Sequence, residues 1–321
     1  MNNSSRTQRI GYMLVFAGVA LFATIEVAVR DSQERLAGHS VPPMLLTALR
    51  FFIPGIIFLA LALFRSSKRR VIPETRDFFK IIILGLIGIP VGIGLFQFAL
   101  TFDAMKASTS AAIFSINPIF VAVLAPLILK ERIGIKEWFG LVLGFSGAVV
   151  MSCSFSDIQV ERKELFSAGA SMLAAAFFFA FYIVMSKPWI KKYGAFVYTG
   201  WAFLFGGSAA VILSICIDGI PDPELLHVSR GTLDIAWVVL GGTALGYYCY
   251  LVGLSKVNIA KGSYLFFAKP FLAFIFSLIY LDEGLFKNNE WVGFSLIVVG
   301  LTLVMFIPDR LFKKREISNG Q

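Results

Sequence analysis

Residues 117–131, NPIFVAVLAPLILKE, and residues 269–283, KPFLAFIFSLIYLDE, are the two stretches on which the reading of this chain turns. Each places a polar residue before a proline, continues through apolar residues and ends in a glutamate. They lie 152 residues apart, and the same offset superposes Gly94 on Gly246 and Phe98 on Tyr250. With one further residue Gly140 meets Gly293 and Gly147 meets Gly300, and earlier in the chain Phe22-Ala23 matches Phe179-Ala180 at an offset of 157. Glycines and apolar residues often match by chance. A proline and a glutamate 13 residues apart at one offset in both copies make a more specific signal, so the chain reads as an internal repeat.

The 321 residues are 57% hydrophobic and 15% charged, with a mean hydropathy of +0.78. Soluble domains run about 45–50% apolar and about 25% charged, so a soluble domain, a disordered chain and a nucleic-acid binder are excluded. A bilayer-crossing helix needs about 20 apolar residues. Ten such runs are predicted, near 10–29, 43–64, 79–101, 107–129, 137–153, 165–186, 195–217, 233–255, 260–281 and 291–308. The first has no short apolar core followed by a small-residue cleavage site, so it reads as a retained anchor. The three cysteines (Cys153, Cys216 and Cys249) sit in apolar segments and suggest neither a disulfide framework nor a metal site. The expected fold is therefore an all-α polytopic membrane protein of ten transmembrane helices, built as two inverted five-helix repeats. Its parts are an N-terminal segment 1–9, the repeats 10–153 and 165–308, and a C-terminal tail 309–321.

Orientation follows from the basic residues, which accumulate in cytoplasmic loops. Of the 29 Lys and Arg, 20 fall with the two termini and loops 2–3, 4–5, 6–7 and 8–9; seven fall in the alternate loops. Both termini are predicted to be cytoplasmic. With five spans per repeat, the second copy enters the membrane from the opposite side. Such inverted repeats belong to transporters, where a site near the midplane opens to either side as one bundle rocks against the other.

On these residues the chain resembles the drug/metabolite transporter superfamily, and in particular its ten-helix EamA-like exporters. The resemblance is carried by the repeat, by the second-span stretch Pro42–Phe51 (PPMLLTALRF), by the proline-centred fourth and ninth spans ending in Glu131 and Glu283, and by the tract Phe266–Ala273 (FFAKPFLA). It covers roughly residues 10–308. One departure stands out: the Trp-Gly often found near the end of the family's first span is here Phe22-Ala23, followed by Glu26, and that span lines the cavity in the family. The resemblance implies two five-helix bundles, alternating access, and traffic in small organic metabolites, usually outward.

Three charges fall well inside the predicted spans: Glu26, Arg50 and Lys269. A charge at mid-bilayer costs about 2.5–3.5 kcal/mol on insertion scales, so each must face a partner, a cavity or water. Glu26 and Arg50 fall at similar depth in the outer half. They read either as a structural ion pair or, for Glu26, as the group that binds an ammonium or a coupling proton; the two readings are compatible. Lys269 is nearly central in its span and directly precedes Pro270, which cannot donate to the Phe266 carbonyl and so favours a kink. It reads as a contact for a substrate carboxylate, or as a bridge to a polar group such as Asn117. Asn117-Pro118 reads as the corresponding kink, with Asn117 either facing the cavity or bonding between helices.

Tyr182, Trp201, Tyr247 and Tyr250 carry polar edges that need partners away from the interface. Tyr247 and Tyr250 share a helical face and could form one wall of a site, while Tyr248 points elsewhere. Gln97 joins the same polar zone. Gly140 and Gly144 permit close helix approach. Glu131 and Glu283 read as interfacial anchors or as gates at one mouth, the anchor being preferred. No phosphate loop, zinc motif or nucleophile motif is present. The substrate-binding set is thus Lys269, Asn117, Glu26, Tyr250, Tyr247, Trp201, Tyr182 and Gln97, with Glu26 as ion-coupling residue and no catalytic residue, metal or cofactor. The expected partners are a small-molecule substrate, the lipid bilayer and protons, in a chain that is a monomer or weak dimer. The expected function is secondary active export of an amino acid or similar zwitterion across the inner membrane. Transport of a cationic or quaternary amine is the alternative, and a membrane enzyme a weaker one.

Overall fold

The computed structural model describes residues 3–35, 41–65, 71–99, 113–152, 162–217, 219, 230–280 and 288–306. They form ten helical rods: α1 (Asn3–Arg35), α2 (Pro43–Arg65), α3 (Thr75–Ala99), α4 (Asn117–Leu129), α5 (Ile135–Ser152), α6 (Arg162–Tyr193), α7 (Ala195–Ile217), α8 (Gly231–Lys256), α9 (Ile259–Tyr280) and α10 (Asn288–Phe306). Seven are long and apolar enough to cross a membrane, and the apolar parts of α4 and α10 are shorter. The reason for an all-helical answer is elementary. In hydrocarbon every backbone N–H and C=O must be satisfied within its own segment, and a helix does that. α1 and α6 run beyond the apolar stretches that announced them, where Arg, Lys, Gln and Glu among the flanking polar residues are good helix formers.

Packing repeats as the sequence does. α2 lies along α7 and α5 along α10; α1 lies against α8 and α9, while α6 lies against α3 and α4. Exchanging the halves turns each of these pairs into another on the same list, which describes a pseudo-two-fold axis. Glycines make the two self-pairs close. A Cβ on Gly140 would stand 3.1 Å from the Gly300 carbonyl oxygen, and one on Gly147 would stand 2.5 Å from that of Gly293. These contacts cross the repeat mates, as an antiparallel two-fold seam requires. In the other seam a Cβ on Gly55 would meet the Leu204 nitrogen at 2.5 Å, and one on Gly207 the Phe52 nitrogen at 2.4 Å. Gly55 and Gly207 are 152 residues apart, as are Phe52 and Leu204.

Each half also widens one helix. α3 is π-helical over Ile87–Ile93 and α8 over Val238–Leu245, positions that the 152 offset superposes almost residue for residue. Pro90 removes a donor in the first, and in the second Thr243 Oγ1 donates to the Val238 carbonyl five residues back (2.8 Å). π-turns of this kind frequently accompany functional sites. Glycines there let the neighbouring rod approach: Gly88 faces Tyr182 of α6, and Gly242 faces Ile25 of α1. Tyr182 and Ile25 are themselves mates at the 157 offset.

Candidate functional site

The two prolines expected to kink α4 and α9 each stand in the first turn of a helical segment. α4 starts at Asn117, after a turn at Ser115-Ile116, with Pro118 in its first turn. There the missing N–H costs nothing. In α9 the backbone tightens to 3₁₀ over Tyr264–Ala268 and returns to α at Lys269, with Pro270 one residue later. The change of pitch therefore falls immediately before Asn117 and Lys269, in both halves. At about 1.5 Å per residue, Lys269 lies about 15 Å along α9 from Ile259, midway through the rod.

Lys269 is half-buried, and its ammonium lies 5.6 Å from the centre of the Phe266 ring and 5.9 Å from that of Phe114. Phe114 belongs to the first half, three residues before Asn117, so the cation of one half lies against a ring of the other. Asn117 is fully buried. Its Nδ2 donates to the Ala176 carbonyl of α6 at 2.9 Å, while its Oδ1 has no hydrogen-bond partner among the described residues. A buried amide oxygen without a donor carries a cost of about 1–3 kcal/mol, which an incoming donor would relieve.

Aromatic rings pack on Phe114 and Phe266. Phe22 of α1 and Phe179 of α6, mates in the repeat, both flank Tyr247 (4.8 and 6.1 Å between centres) and Phe266 (6.5 and 6.3 Å). Tyr250 packs on Phe22 at 5.4 Å and on Phe266 at 6.0 Å, and its hydroxyl has no hydrogen-bond partner among the described residues. Tyr247 and Tyr250 thus belong to one cluster, while Tyr248 stacks away from it on Phe196 at 4.9 Å. Phe22, the first residue of the Phe22-Ala23 pair, is a member of this cluster.

Arg50 is 5% exposed, and its Nε donates to Thr243 Oγ1 of the widened α8 turn at 3.1 Å. Its guanidinium lies 5.7 Å from the Phe51 ring centre. Thr243 was not foreseen; a threonine among apolar residues looks ordinary until the wide turn aims it inward. The side chain of Glu26, and with it the expected Glu26–Arg50 pair, lies outside the described residues. Gln97 is buried near the far end of α3. Tyr182 is buried, with its ring stacked on Tyr198 at 6.2 Å. Trp201 requires a correction. Its indole N–H donates to the Val71 carbonyl at 2.9 Å, and with Leu59, Leu63, Val71 and Ile72 it lines an open apolar groove of about 560 Å³. The indole needed a partner and found the backbone before α3, so it anchors a loop instead of joining the ring cluster.

Glu131, read as an interfacial anchor or a gate, is turned into the protein. Its Oε1 takes the Lys187 ammonium of α6, and its Oε2 accepts the Ile259 N–H at the start of α9 (2.8 Å). Lys187 was missed because a lysine near a helix end usually snorkels to water. Here it is 7% exposed. Glu283, the sequence mate of Glu131, lies outside the described residues.

Against known proteins, residues 9–153 and 167–306 each match the EamA-like transporter family. A relative from Clostridium kluyveri, named as an uncharacterized transporter, is 27% identical over 295 residues, 90% of this chain and 91% of its own length. The uncharacterized inner membrane transporter YicL of Salmonella typhimurium is 24% identical over 302 residues, 92% of this chain and 95% of its own length. A solved crystal structure of a protein superposes with a TM-score of 0.79 over 96% of this chain and 99% of that one, at 20% identity. Taken with the ten rods and their two-fold packing, these matches place the chain in the EamA-like transporter family, as a multi-pass membrane transporter of the drug/metabolite transporter superfamily.

Proposed function

We propose that this transporter exports a small zwitterionic metabolite, such as an amino acid, across the inner membrane by alternating access between its two halves, with both termini in the cytoplasm. The observation that carries the reading is Lys269, a cation at mid-rod on the seam between the halves. Its ammonium lies over the Phe114 ring, three residues before Asn117, a buried amide whose oxygen has no hydrogen-bond partner among the described residues. In this reading the ammonium takes the substrate carboxylate. The Asn117 Oδ1 and Tyr250 hydroxyl take its N–H donors, and the rings of Phe22, Phe179, Tyr247 and Phe266 enclose its side chain. Glu26 carries the coupling proton. Lys269 repels a cationic substrate from the same point, which favours a zwitterion over a quaternary amine.

The test is uptake of labelled amino acids, dipolar amines and quaternary amines into proteoliposomes, with and without a pH gradient. Saturable uptake of zwitterions, driven by the gradient and weakened by Lys269→Ala, supports the reading. Uptake confined to quaternary amines, or unchanged affinity in Lys269→Ala, overturns the carboxylate contact. Gradient-driven transport retained in Glu26→Gln overturns the proton role.

A further inference from the structure

On the face that carries the N-terminus, the halves are joined by charges in a consistent sense. The first half supplies carboxylates and the second supplies amines: Glu131 meets Lys187, Glu137 meets Lys261 at 2.8 Å, and Asp77 meets Lys192 at 2.5 Å. Their burial differs. The Lys192 side chain is 49% exposed, and exposed pairs contribute little. Lys187 and Glu131 are 8% and 17% exposed, and their pair is knitted into backbone. Lys187 donates a second bond to the Val257 carbonyl at 2.6 Å, and Glu131 accepts the Ile259 N–H. One pair therefore ties the end of α4, the end of α6 and the α8–α9 junction together. Removing either member of a buried pair strands a charge, so the closed arrangement depends on both.

The pair also sits between two breaks in the helical backbone. Lys130, just before Glu131, is the single non-glycine residue among those described with positive φ (56°), and such a conformation is uncommon and held by its surroundings. Between α8 and α9, Val257 and Asn258 are extended, at φ −122°, ψ 173° and φ −61°, ψ 124°. The helix fastened there is α9, which carries Lys269. In the sequence, the offsets of 157 and 152 pair Lys187 with Arg30 and Glu131 with Glu283, so the second copy of the repeat preserves both charge signs.

We propose that Glu131 and Lys187 are a gate pair, closed in this structure. It holds the start of α9 against α4 and α6, and its release opens the N-terminal face toward Lys269. The inference rests on the alternating-access reading above, so its test separates the two. The three native cysteines are replaced, and Ser263→Cys is introduced on α9 beneath the pair, at a site that is 0% exposed. Its modification by a membrane-impermeant maleimide is followed by mass spectrometry in vesicles whose sidedness is set by labelling Arg6→Cys. Ala99→Cys, at the far end of α3 and also 0% exposed, reports the other face.

In Glu131→Gln and in Lys187→Met, labelling at position 263 from the N-terminal face is expected to rise about tenfold or more, as loss of one member shifts the closed–open balance. Unchanged labelling in variants that remain monodisperse in detergent overturns the gate. If neither single variant folds, the double variant Glu131→Cys/Lys187→Cys decides. Slow labelling at 263 when oxidised and fast labelling when reduced supports the gate; equal rates overturn it. A rise at 263 with a matching fall at 99 supports both gate and alternating access. A rise at 263 with no change at 99 keeps the gate and overturns the alternating-access reading.

Discussion

The two halves of this protein keep the same backbone devices and change the side chains at the centre. Both widen one helix at superposable positions, 87–93 and 238–245, and both change pitch directly before the residue that precedes a proline. Both press glycines into the same seams. At the centre, however, the first half offers neutral Asn117 where the second offers Lys269. Arg50 of α2 has Ala202 of α7 as its mate, and Thr243 in the second widened turn stands where the first has Val91. Symmetry serves the parts that must pack equally well with either half uppermost. On the proposed function the substrate is a small metabolite without such symmetry, which accounts for divergence at the residues proposed to read it.

The largest effect should come from breaking the symmetric seams. Gly147→Val puts a Cβ 2.5 Å from the Gly293 carbonyl, where backbone cannot retreat, and should cost about 3 kcal/mol or more. Gly207→Val in the other seam should cost the same order. Both are read as loss of monodisperse protein and a lowered unfolding temperature in detergent; wild-type behaviour would mean that the seams are looser than described.

Next comes the diverged centre. Lys269→Ala should weaken zwitterion affinity by about 100-fold, the scale of a lost charge-assisted contact. Asn117→Ala, its mate, should weaken it by about tenfold or less, because it loses one neutral partner. Equal effects in competition assays would mean that the centre is functionally symmetric after all.

A smaller effect is expected at the widened turn. Thr243→Val removes the acceptor of Arg50 Nε and the donor to the Val238 carbonyl, and should lower stability by about 1–3 kcal/mol. Val91→Ala, at the mate position, removes no hydrogen bond and should cost less. The comparison is made by thermal unfolding of both. The smallest effect belongs to Trp201→Phe, which deletes the bond to the Val71 carbonyl. It should cost about 1 kcal/mol of stability and leave substrate affinity at the parent value.

Much of the candidate site could be proposed from the chain because its signals are costly ones. A lysine at mid-span and an asparagine before a proline stand out against hydrocarbon, and the repeat links them. Trp201 misled because an indole at mid-sequence and an indole beside a loop backbone look alike in one dimension. Lys187 and Thr243 were invisible for the opposite reason. A lysine at a helix end and a threonine among glycines are commonplace, and they gain meaning only from Glu131 and Arg50, 56 and 193 residues away.

Composition and periodicity alone determined that this chain is a set of helices in lipid, arranged as two related halves. That outcome is local: each apolar run must satisfy its own backbone where water is absent. What only the tertiary structure decided is which helices meet, where the backbone departs from the regular α-helix, and that Glu131 faces a lysine instead of water. Those outcomes depend on contacts between distant residues, and a repeat read along the chain does not state how its copies will touch.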